Sequence, residues 1–292
     1  MTTGVFPPAG RREGAATPRP HSSPDEVAQV LRRGPALVLS GAGMSTNSGI
    51  PDYRGPDGTR RVTPMHMSEF VASSEARQRY WARSFVGWRR FRAAEPNDAH
   101  RLVTTLQERG AIGAVITQNV DGLHQAAGTS GVVELHGSLA GVICLTCGDR
   151  STRTDLDEQM AARNPDFDVV SDEIRPDGDI SLEAIDVERF VAPVCAACGA
   201  DTLKPDVVFF GGAVDREIVE RCYALTDRAP SLLVLGSSLQ VMSGLRFVRR
   251  AAQRGIPVVI ITRGPTRGDA LATHGLDGEL ISLLAEVAYD LG

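Results

Sequence analysis

The stretch Ala36-Leu-Val-Leu-Ser-Gly-Ala-Gly-Met-Ser-Thr-Asn-Ser-Gly-Ile-Pro-Asp-Tyr-Arg54 begins as a short apolar run and then becomes rich in glycine. The apolar run lacks the alternation of a half-exposed strand, so it predicts a strand that is buried on both faces. Gly41 and Gly43 permit the tight turn and the close approach of backbone to ligand found in phosphate-binding loops. Because Thr46 stands where the third glycine of that motif belongs, an ordinary strand-to-helix turn explains the loop equally well.

Three further apolar runs, at residues 114–117, 232–235 and 258–261, predict buried strands of the same kind. Residues 97–110 and 244–255 have apolar side chains at helical spacing and predict helices. Alternation of strand and helix predicts an α/β fold with a Rossmann-like, doubly wound parallel sheet.

Polar, glycine-containing segments follow all four predicted strands. They are Ser40-Gly-Ala-Gly43, Gln118-Asn-Val-Asp-Gly-Leu-His124, Gly236-Ser-Ser238 and Thr262-Arg-Gly-Pro-Thr-Arg-Gly-Asp269. Since the carboxyl ends of parallel strands share one edge, these segments should meet there, where such folds bind ligands. Four such segments favour a nucleotide-sized ligand over four unrelated structural loops.

The charge balance and the terminal segment limit the possible partners. The 292 residues include 31 basic and 36 acidic side chains, which argues against a nucleic-acid partner. No apolar run has the length of a membrane span, so no membrane partner is expected. Residues 1–23 predict a disordered tail, because they are rich in Pro, Gly, Ala and Arg and have no signal-peptide core. We expect a cytoplasmic protein, or a mitochondrial matrix protein if the source is a eukaryote, and a monomer.

Four of the five cysteines form two pairs, Cys144-Leu-Thr-Cys147 and Cys195-Ala-Ala-Cys198. Two such pairs can complete a tetrahedron of thiolates, which suits Zn²⁺. A site with four cysteine ligands leaves no open position for water, so the predicted zinc ion is structural. The remaining cysteine, Cys222, is interpreted as a small core residue.

Two segments interrupt the strand–helix alternation and predict a smaller module. Residues 60–95 appear as a helical insertion, and residues 141–204 contain the four cysteines. Residues 155–188, within the second segment, are acidic, contain prolines and lack periodicity, so they predict a surface insertion. The Rossmann-like domain is then expected to comprise residues 24–59, 96–140 and 205–292.

The chain's motifs together resemble those of the sirtuins, the NAD-dependent protein deacylases. The motifs are Gly41-Ala-Gly-Met-Ser45, Gly49-Ile-Pro-Asp-Tyr-Arg54, Thr117-Gln-Asn-Val-Asp-Gly-Leu-His124, Leu135-His-Gly137, the two cysteine pairs, Pro205-Asp-Val-Val-Phe-Phe-Gly211 and Gly236-Ser-Ser-Leu239. The resemblance extends from about residue 25 to the C-terminus. The segments Arg79-Tyr-Trp-Ala-Arg-Ser84 and Gly264-Pro-Thr-Arg-Gly-Asp269 resemble sequences of the class II branch of the sirtuins.

This resemblance implies an enzyme that consumes NAD to deacylate acyl-lysine in proteins or peptides. Nicotinamide and an O-acyl-ADP-ribose would be released, and His136 would act as the general base, a role that suits imidazole at neutral pH. Asn119 would assist at the catalytic centre. The same resemblance implies NAD as co-substrate and one structural zinc ion.

The resemblance also assigns binding residues. Those expected to contact NAD are Gly41, Ala42, Gly43, Ser45, Asp52, Tyr53, Arg54, Gln118, Asn119, Val120, Asp121, Gly236, Ser237, Ser238, Thr262, Arg263, Gly264 and Asp277. Those expected to line the channel for the acyl-lysine are Val207, Val208, Phe209, Phe210 and Gly211.

Three positions depart from the family pattern. Tyr53 stands where the family usually has Phe, Gly212 where it often has an acid, and Thr262 where it usually has an Asn on the adenosine ribose. We expect Tyr53 to keep the family's role of shielding the nicotinamide end of NAD. The family's contacts at Gly212 and Thr262 are not expected to be the same, because the side chains differ.

The acyl group is predicted from helix register. Sirtuins that prefer succinyl or malonyl lysine carry a Tyr-x-x-Arg pair on the helix that lines the acyl pocket. Counting back from Glu95-Pro96-Asn97 places that pair at Ser84 and Gly87, so Tyr80 and Arg83 fall one turn earlier. We therefore predict that neutral acyl groups are accepted and that succinyl-lysine is a poor substrate, because a carboxylate needs a cation in an apolar channel.

Other activities are open to the same scaffold. The first is mono-ADP-ribosyl transfer to protein, and the second is NAD sensing without catalysis. The third is redox catalysis, for which the sequence lacks an obvious hydride acceptor site. Nicotinamide release with and without acylated peptide separates these alternatives.

Overall fold

The computed structural model describes residues 18–55, 59–171, 173, 175–182 and 184–292. Residues 1–17 of the predicted tail lie outside this range. The described strands, β1 to β9 in chain order, span Ala36–Ser40, Ile112–Thr117, Val132–Glu134, Gly137–Cys144, Arg150–Thr152, Leu203–Val207, Leu232–Leu235, Val258–Ile261 and His274–Leu276. The described α-helices, α1 to α10, span Pro24–Leu31, Met67–Ala72, Ser74–Phe91, Asp98–Glu108, Leu123–Ala126, Arg153–Arg163, Ala184–Arg189, Arg216–Arg228, Met242–Gln253 and Leu280–Leu291.

A six-stranded sheet in the order β3-β2-β1-β7-β8-β9 forms the centre of the larger domain. Every neighbouring pair in it is parallel. All five residues of β1 are buried, and alternate side chains enter different cores, with Val38 on one face and Leu37 and Leu39 on the other. This arrangement confirms the predicted doubly wound sheet.

Helices cover both faces of this sheet. The core on one face includes Val27 of α1, Val103 of α4 and Leu284 of α10, while the other includes Cys222 of α8 and Phe247 of α9. The predicted helix at 97–110 is α4, which starts one residue later because the Asn97 side chain caps it by accepting from the Ala99 N–H at 2.9 Å. The four predicted strands are β1, β2, β7 and β8, of which β2 begins two residues early.

The smaller domain packs helices against the antiparallel sheet β5-β4-β6. Its core combines Phe70 and Trp81 of α2 and α3 with Val142 of β4 and Leu156 and Met160 of α6. The helical segment and the cysteine-containing segment therefore share one hydrophobic core.

Three sequence predictions differ from the observed elements. Residues 60–66 contain no helix, so the helical part of the 60–95 segment is α2 and α3. Residues 155–188 are not a surface insertion, because α6 together with Phe167 and Ile180 enters the small-domain core. Residues 18–23 are not a disordered tail either, since they bond to the end of the large sheet, as described below.

Candidate active site

A cavity of about 1060 Å³ lies at the carboxyl edge of the large sheet, between the two domains. The segments that follow β1, β2, β7 and β8 all contribute to its walls, as predicted from the parallel topology. The predicted NAD contacts that line it are Gly41, Ala42, Gly43, Ser45, Asp52, Tyr53, Arg54, Gln118, Asn119, Val120, Asp121, Gly236, Ser237, Ser238, Thr262 and Arg263.

Close packing between two loops explains the glycines after β1. A Cβ on Gly41 would lie 2.7 Å from the Ser237 Cβ, and one on Gly43 would lie 2.9 Å from the Gly236 Cα. The Gly43 N–H also donates to the Gly236 carbonyl at 2.8 Å. These glycines are therefore needed for the β1 and β7 loops to approach each other, in addition to any approach by a ligand.

A chain of hydrogen bonds connects the polar groups that follow β1 and β2. The Asn119 amide donates to the Gly41 carbonyl at 3.1 Å and to the Ser45 hydroxyl at 3.0 Å, and Ser45 donates to the Asp121 carboxylate at 2.6 Å. Burial raises the pKa of Asp121, opposed by the hydrogen bond from Ser45. The chain fixes the orientation of the Asn119 amide and the Asp121 carboxylate before any ligand binds.

His136 lies at the wall of the cavity between β3 and β4. Its Nδ1 is 2.9 Å from the Gln118 carbonyl oxygen, and its Nε2 is 2.8 Å from the Ser243 hydroxyl. A carbonyl oxygen can only accept a hydrogen bond, so Nδ1 carries the proton and the lone pair of Nε2 accepts from the Ser243 hydroxyl. Burial lowers the pKa of His136, which favours this neutral form. Nε2 can therefore accept a proton from a hydroxyl in the cavity.

The backbone around His136 holds the ring in place. A Cβ on Gly137 would lie 2.0 Å from the Asp206 carbonyl oxygen, and φ of Gly137 is +77°, so only glycine fits after the histidine. The His136 carbonyl accepts from the Val208 N–H at 2.8 Å. His136 is thereby tied to the segment that follows β6 and forms the predicted acyl channel.

All five predicted channel residues, Val207, Val208, Phe209, Phe210 and Gly211, line the cavity. Strand β6 ends at Val207, so Phe209 and Phe210 lie beyond it and outside its pairing with β4. Aromatic contacts hold them instead: the Phe209 ring packs 5.2 Å from Tyr80, and Phe210 packs 5.7 Å from Tyr53.

Helix α3 presents a different residue to the cavity from the one predicted. Tyr80 lines the cavity, whereas Ser84 and Gly87 do not. The Ser84 carbonyl accepts from Arg153, and a Cβ on Gly87 would lie 2.4 Å from the Gly178 carbonyl oxygen, so both face the small-domain interior. The predicted helix register was therefore wrong by one turn, because an ungapped count cannot follow the non-helical residues 92–97 between α3 and α4.

Two predicted NAD contacts, Gly264 and Asp277, are not among the cavity-lining residues. The Asp277 carboxylate accepts from the Gly264 N–H at 2.9 Å, so it supports the loop after β8 from behind. Residues that line the cavity but were not predicted as contacts include Tyr80, Pro176, Asp177, Ser243, Gly278, Glu279 and Leu280. The sequence signal for Ser243 was limited to a hydroxyl residue next to the helix predicted at 244–255. No sequence pattern indicated Asp177.

The four paired cysteines form a compact cluster in the smaller domain. Their sulfur atoms all lie within 4.8 Å of one another, and the Cys144–Cys198 and Cys147–Cys195 sulfur distances are both 3.7 Å. Four thiolates at about 2.3 Å from a tetrahedral zinc ion would be about 3.8 Å apart. The cluster therefore fits one structural zinc ion, and Cys222 lies apart from it in the core of the larger domain.

Comparison with known proteins identifies the family. A model of the Sir2 family matches residues 41–243. This chain belongs to the Sir2 family, the sirtuins. It is 55% identical over 267 residues to NAD-dependent protein deacetylase 1 of Streptomyces coelicolor, covering 91% of this chain and 89% of that protein. It is 48% identical over 274 residues to NAD-dependent protein deacetylase 1 of Mycobacterium avium, covering 92% and 95% of the two chains.

Solved sirtuin structures agree with this fold. A Sir2 complex with p53 peptide and NAD⁺ is 29% identical to this sirtuin with a TM-score of 0.71, covering 91% of this chain and 97% of that one. A Sir2 complex with deacetylated p53 peptide and 3′-O-acetyl ADP ribose gives a TM-score of 0.73 at 28% identity, covering 92% and 98%. No helix in the described part of this sirtuin is both long and apolar enough to span a membrane.

Proposed function

We propose that this sirtuin is an NAD-dependent protein-lysine deacylase whose active site is the cavity between its two domains. The nicotinamide end of NAD is placed beside the Asn119, Ser45 and Asp121 chain, and the diphosphate beside the loops containing Gly41 and Gly236. The adenosine end would lie at Thr262 and Arg263, which line the cavity in the loop that follows β8. The hydrogen bonds that already orient the Asn119 amide support this orientation of NAD, because they hold polar groups in place at one end of the cavity.

Bound NAD supplies a ribose that takes over the acyl group and a nicotinamide that leaves. The chain's own contribution is to orient these groups and to move one proton. Val208 and Phe209 would enclose the acyl-lysine side chain, and Tyr53, whose ring packs on Phe210, would cover the reacting end and exclude water. His136 would accept the proton of a ribose hydroxyl at Nε2, and its Nδ1–H bond to the Gln118 carbonyl would stabilise the charged ring.

The zinc ion, held by Cys144, Cys147, Cys195 and Cys198, has a structural role in this proposal. Because the cluster offers four thiolates, a bound ion has no coordination position for substrate. Its place in the small domain also separates it from His136, which lies on the cavity wall.

The observation that carries the proposal is the tautomer of His136, which leaves Nε2 unprotonated and therefore able to act as a base at the cavity wall. Replacing His136 with Ala should lower deacetylation by about 100-fold or more, the scale of a positioned general base. ADP-ribose binding, measured by calorimetry, should persist. Near-normal turnover by the variant would contradict the assignment, and nicotinamide release without acylated peptide would point to another reaction.

The acyl group is proposed to be uncharged. Tyr80 and Asp177 line the same cavity as Phe209. Arg83, the cation of the Tyr-x-x-Arg sequence, lies 2.9 Å from the Asp179 carboxylate and donates to the Ile180 carbonyl. A carboxylate on the acyl group would therefore meet the acid of Asp177, while the nearby arginine is already paired.

The compartment is proposed to be the cytoplasm. Support comes from the two cysteine pairs, which are free thiols grouped as metal ligands, a state typical of proteins in a reducing compartment.

A further inference from the structure

The segment at residues 18–23 lies along β9, the last strand of the large sheet. The Ser22 N–H donates to the Gly275 carbonyl at 2.9 Å. A Cβ on Gly275 would lie 2.7 Å from both the Arg19 Cδ and the Pro20 carbonyl oxygen. The glycine in β9 therefore leaves the space that this segment occupies.

Arg19 inserts its side chain beneath the loop that follows β8. Its Nη2 donates to the Thr262 carbonyl at 2.8 Å and to the Gly264 carbonyl at 2.9 Å, and lies 2.9 Å from the Asp277 carboxylate. The Arg19 side chain is only 7% exposed. A buried guanidinium with charge-assisted bonds of this kind fixes the backbone that it contacts.

The loop held by Arg19 is a wall of the cavity. Thr262 and Arg263 line the cavity, and the next residue, Gly264, donates its N–H to the Asp277 carboxylate at 2.9 Å. Arg19 and Asp277 thus bond to the two polar groups of Gly264, its carbonyl and its N–H. The conformation of the cavity wall at Thr262 and Arg263 depends on this arrangement.

Charge adds a second reason for the contact. Asp277 accepts from Arg19, and the buried Asp269 lies 3.9 Å from the Arg19 Nη1. Without the guanidinium, two carboxylates close to the cavity would lose their shared cation. An anionic ligand such as a dinucleotide would then be repelled more strongly.

We propose that Arg19 is a positioning residue for the adenosine end of NAD, acting through the backbone of Thr262 and Gly264. The inference rests on the placement of NAD given under the proposed function. It assigns a role in cofactor affinity to a segment that precedes the first helix of the domain.

The first experiment replaces Arg19 with Met in the full chain. The dissociation constant for ADP-ribose, measured by calorimetry, and KM for NAD should both rise about tenfold, the scale of one charge-assisted contact. The kcat and inhibition by nicotinamide should change less than about twofold, because the other end of the cavity is untouched. Arg19→Lys should recover part of the affinity, and Arg33→Met, at an exposed arginine, serves as the matched control.

A second variant tests the same contact without touching the arginine. Gly275→Ala places a methyl group where Arg19 and Pro20 lie, so it should displace the segment and weaken ADP-ribose binding as Arg19→Met does. Unchanged ADP-ribose affinity in both variants would overturn the inference, as would an equal loss of nicotinamide inhibition.

Arg263→Glu separates the inference from the placement on which it rests, because Arg263 lines the cavity itself. If this variant weakens ADP-ribose binding and the Arg19 variants do not, the role of Arg19 is wrong and the placement stands. If none of these variants weakens it, the placement of the adenosine end is wrong as well.

Discussion

At the scale of single residues, the protonation of His136 makes a prediction about pH. Burial lowers the pKa of His136 from its ordinary value of 6.5. A general base works in its neutral form, and a lowered pKa keeps the ring neutral to lower pH. Between pH 8 and pH 6.5 the rate should therefore fall by less than the roughly twofold loss expected of an ordinary histidine, about half of which is charged at pH 6.5. A profile of kcat between pH 5.5 and 8.5 checks this, and an acidic midpoint at or above 6.5 would contradict it.

Asp177 makes a prediction about the acyl group. In a matched peptide series, acetyl-lysine should be turned over faster than succinyl-lysine, because the distal carboxylate would meet Asp177. Asp177→Asn should raise the succinyl-to-acetyl ratio by removing that acid. Arg83→Met is the comparison variant, since Arg83 is already paired with Asp179. If succinyl-lysine is the best substrate of the wild type and its turnover collapses in Arg83→Met, the proposed acyl preference is wrong.

At the scale of elements, α6 depends on one buried cation. The Arg153 guanidinium lies 4.9 Å from the Trp88 ring centroid and 5.5 Å from that of Trp81, and it pairs with Asp157 at 3.1 Å. Arg153→Met should lower the free energy of unfolding by about 3 kcal/mol, the scale for breaking a buried pair. Arg153→Lys should restore little, because an ammonium lacks the planar face.

Urea unfolding followed by circular dichroism measures this effect. Arg163→Met, at an exposed position in the last turn of α6, is the control. Equal unfolding midpoints for the Arg153 and Arg163 variants would show that the stacked cation contributes nothing.

At the scale of the whole molecule, the smaller domain should unfold when its zinc ion is removed. Both tryptophans, Trp81 and Trp88, lie in α3 of that domain, and the Trp81 indole donates to the Leu203 carbonyl at 2.9 Å. Removing zinc with a chelator should shift tryptophan emission to longer wavelength, because binding free energy of a structural metal is folding free energy. The large sheet has its own cores, so much of the circular dichroism should remain.

Two cysteine variants complete the zinc experiment. Cys195→Ser should lose the metal and reproduce the emission shift, whereas Cys222→Ser, in the larger domain, should retain one zinc per chain. Unchanged emission in metal-free protein would refute a structural role for the ion.

The sequence by itself determined four strands of the large sheet, β1, β2, β7 and β8, the edge that they share and the polar segments at that edge. Short buried runs such as that at 232–235 are local patterns, and parallel topology then brings their carboxyl ends together. The cysteine pairs were equally readable, because ligand spacing within each pair is local.

Only the tertiary structure decided which side chains face the cavity and which segments are structural. Leu156 and Met160 alone were too few apolar residues to predict the helix α6 from periodicity. Both are nevertheless buried, because their core partners are distant in the chain. Tyr80 lines the cavity, and the predicted Ser84 and Gly87 do not, because the packing of α3 decides which of its faces meets the cavity. Arg19 looked like part of a tail because its partners lie about 250 residues away, beyond the range of any local pattern.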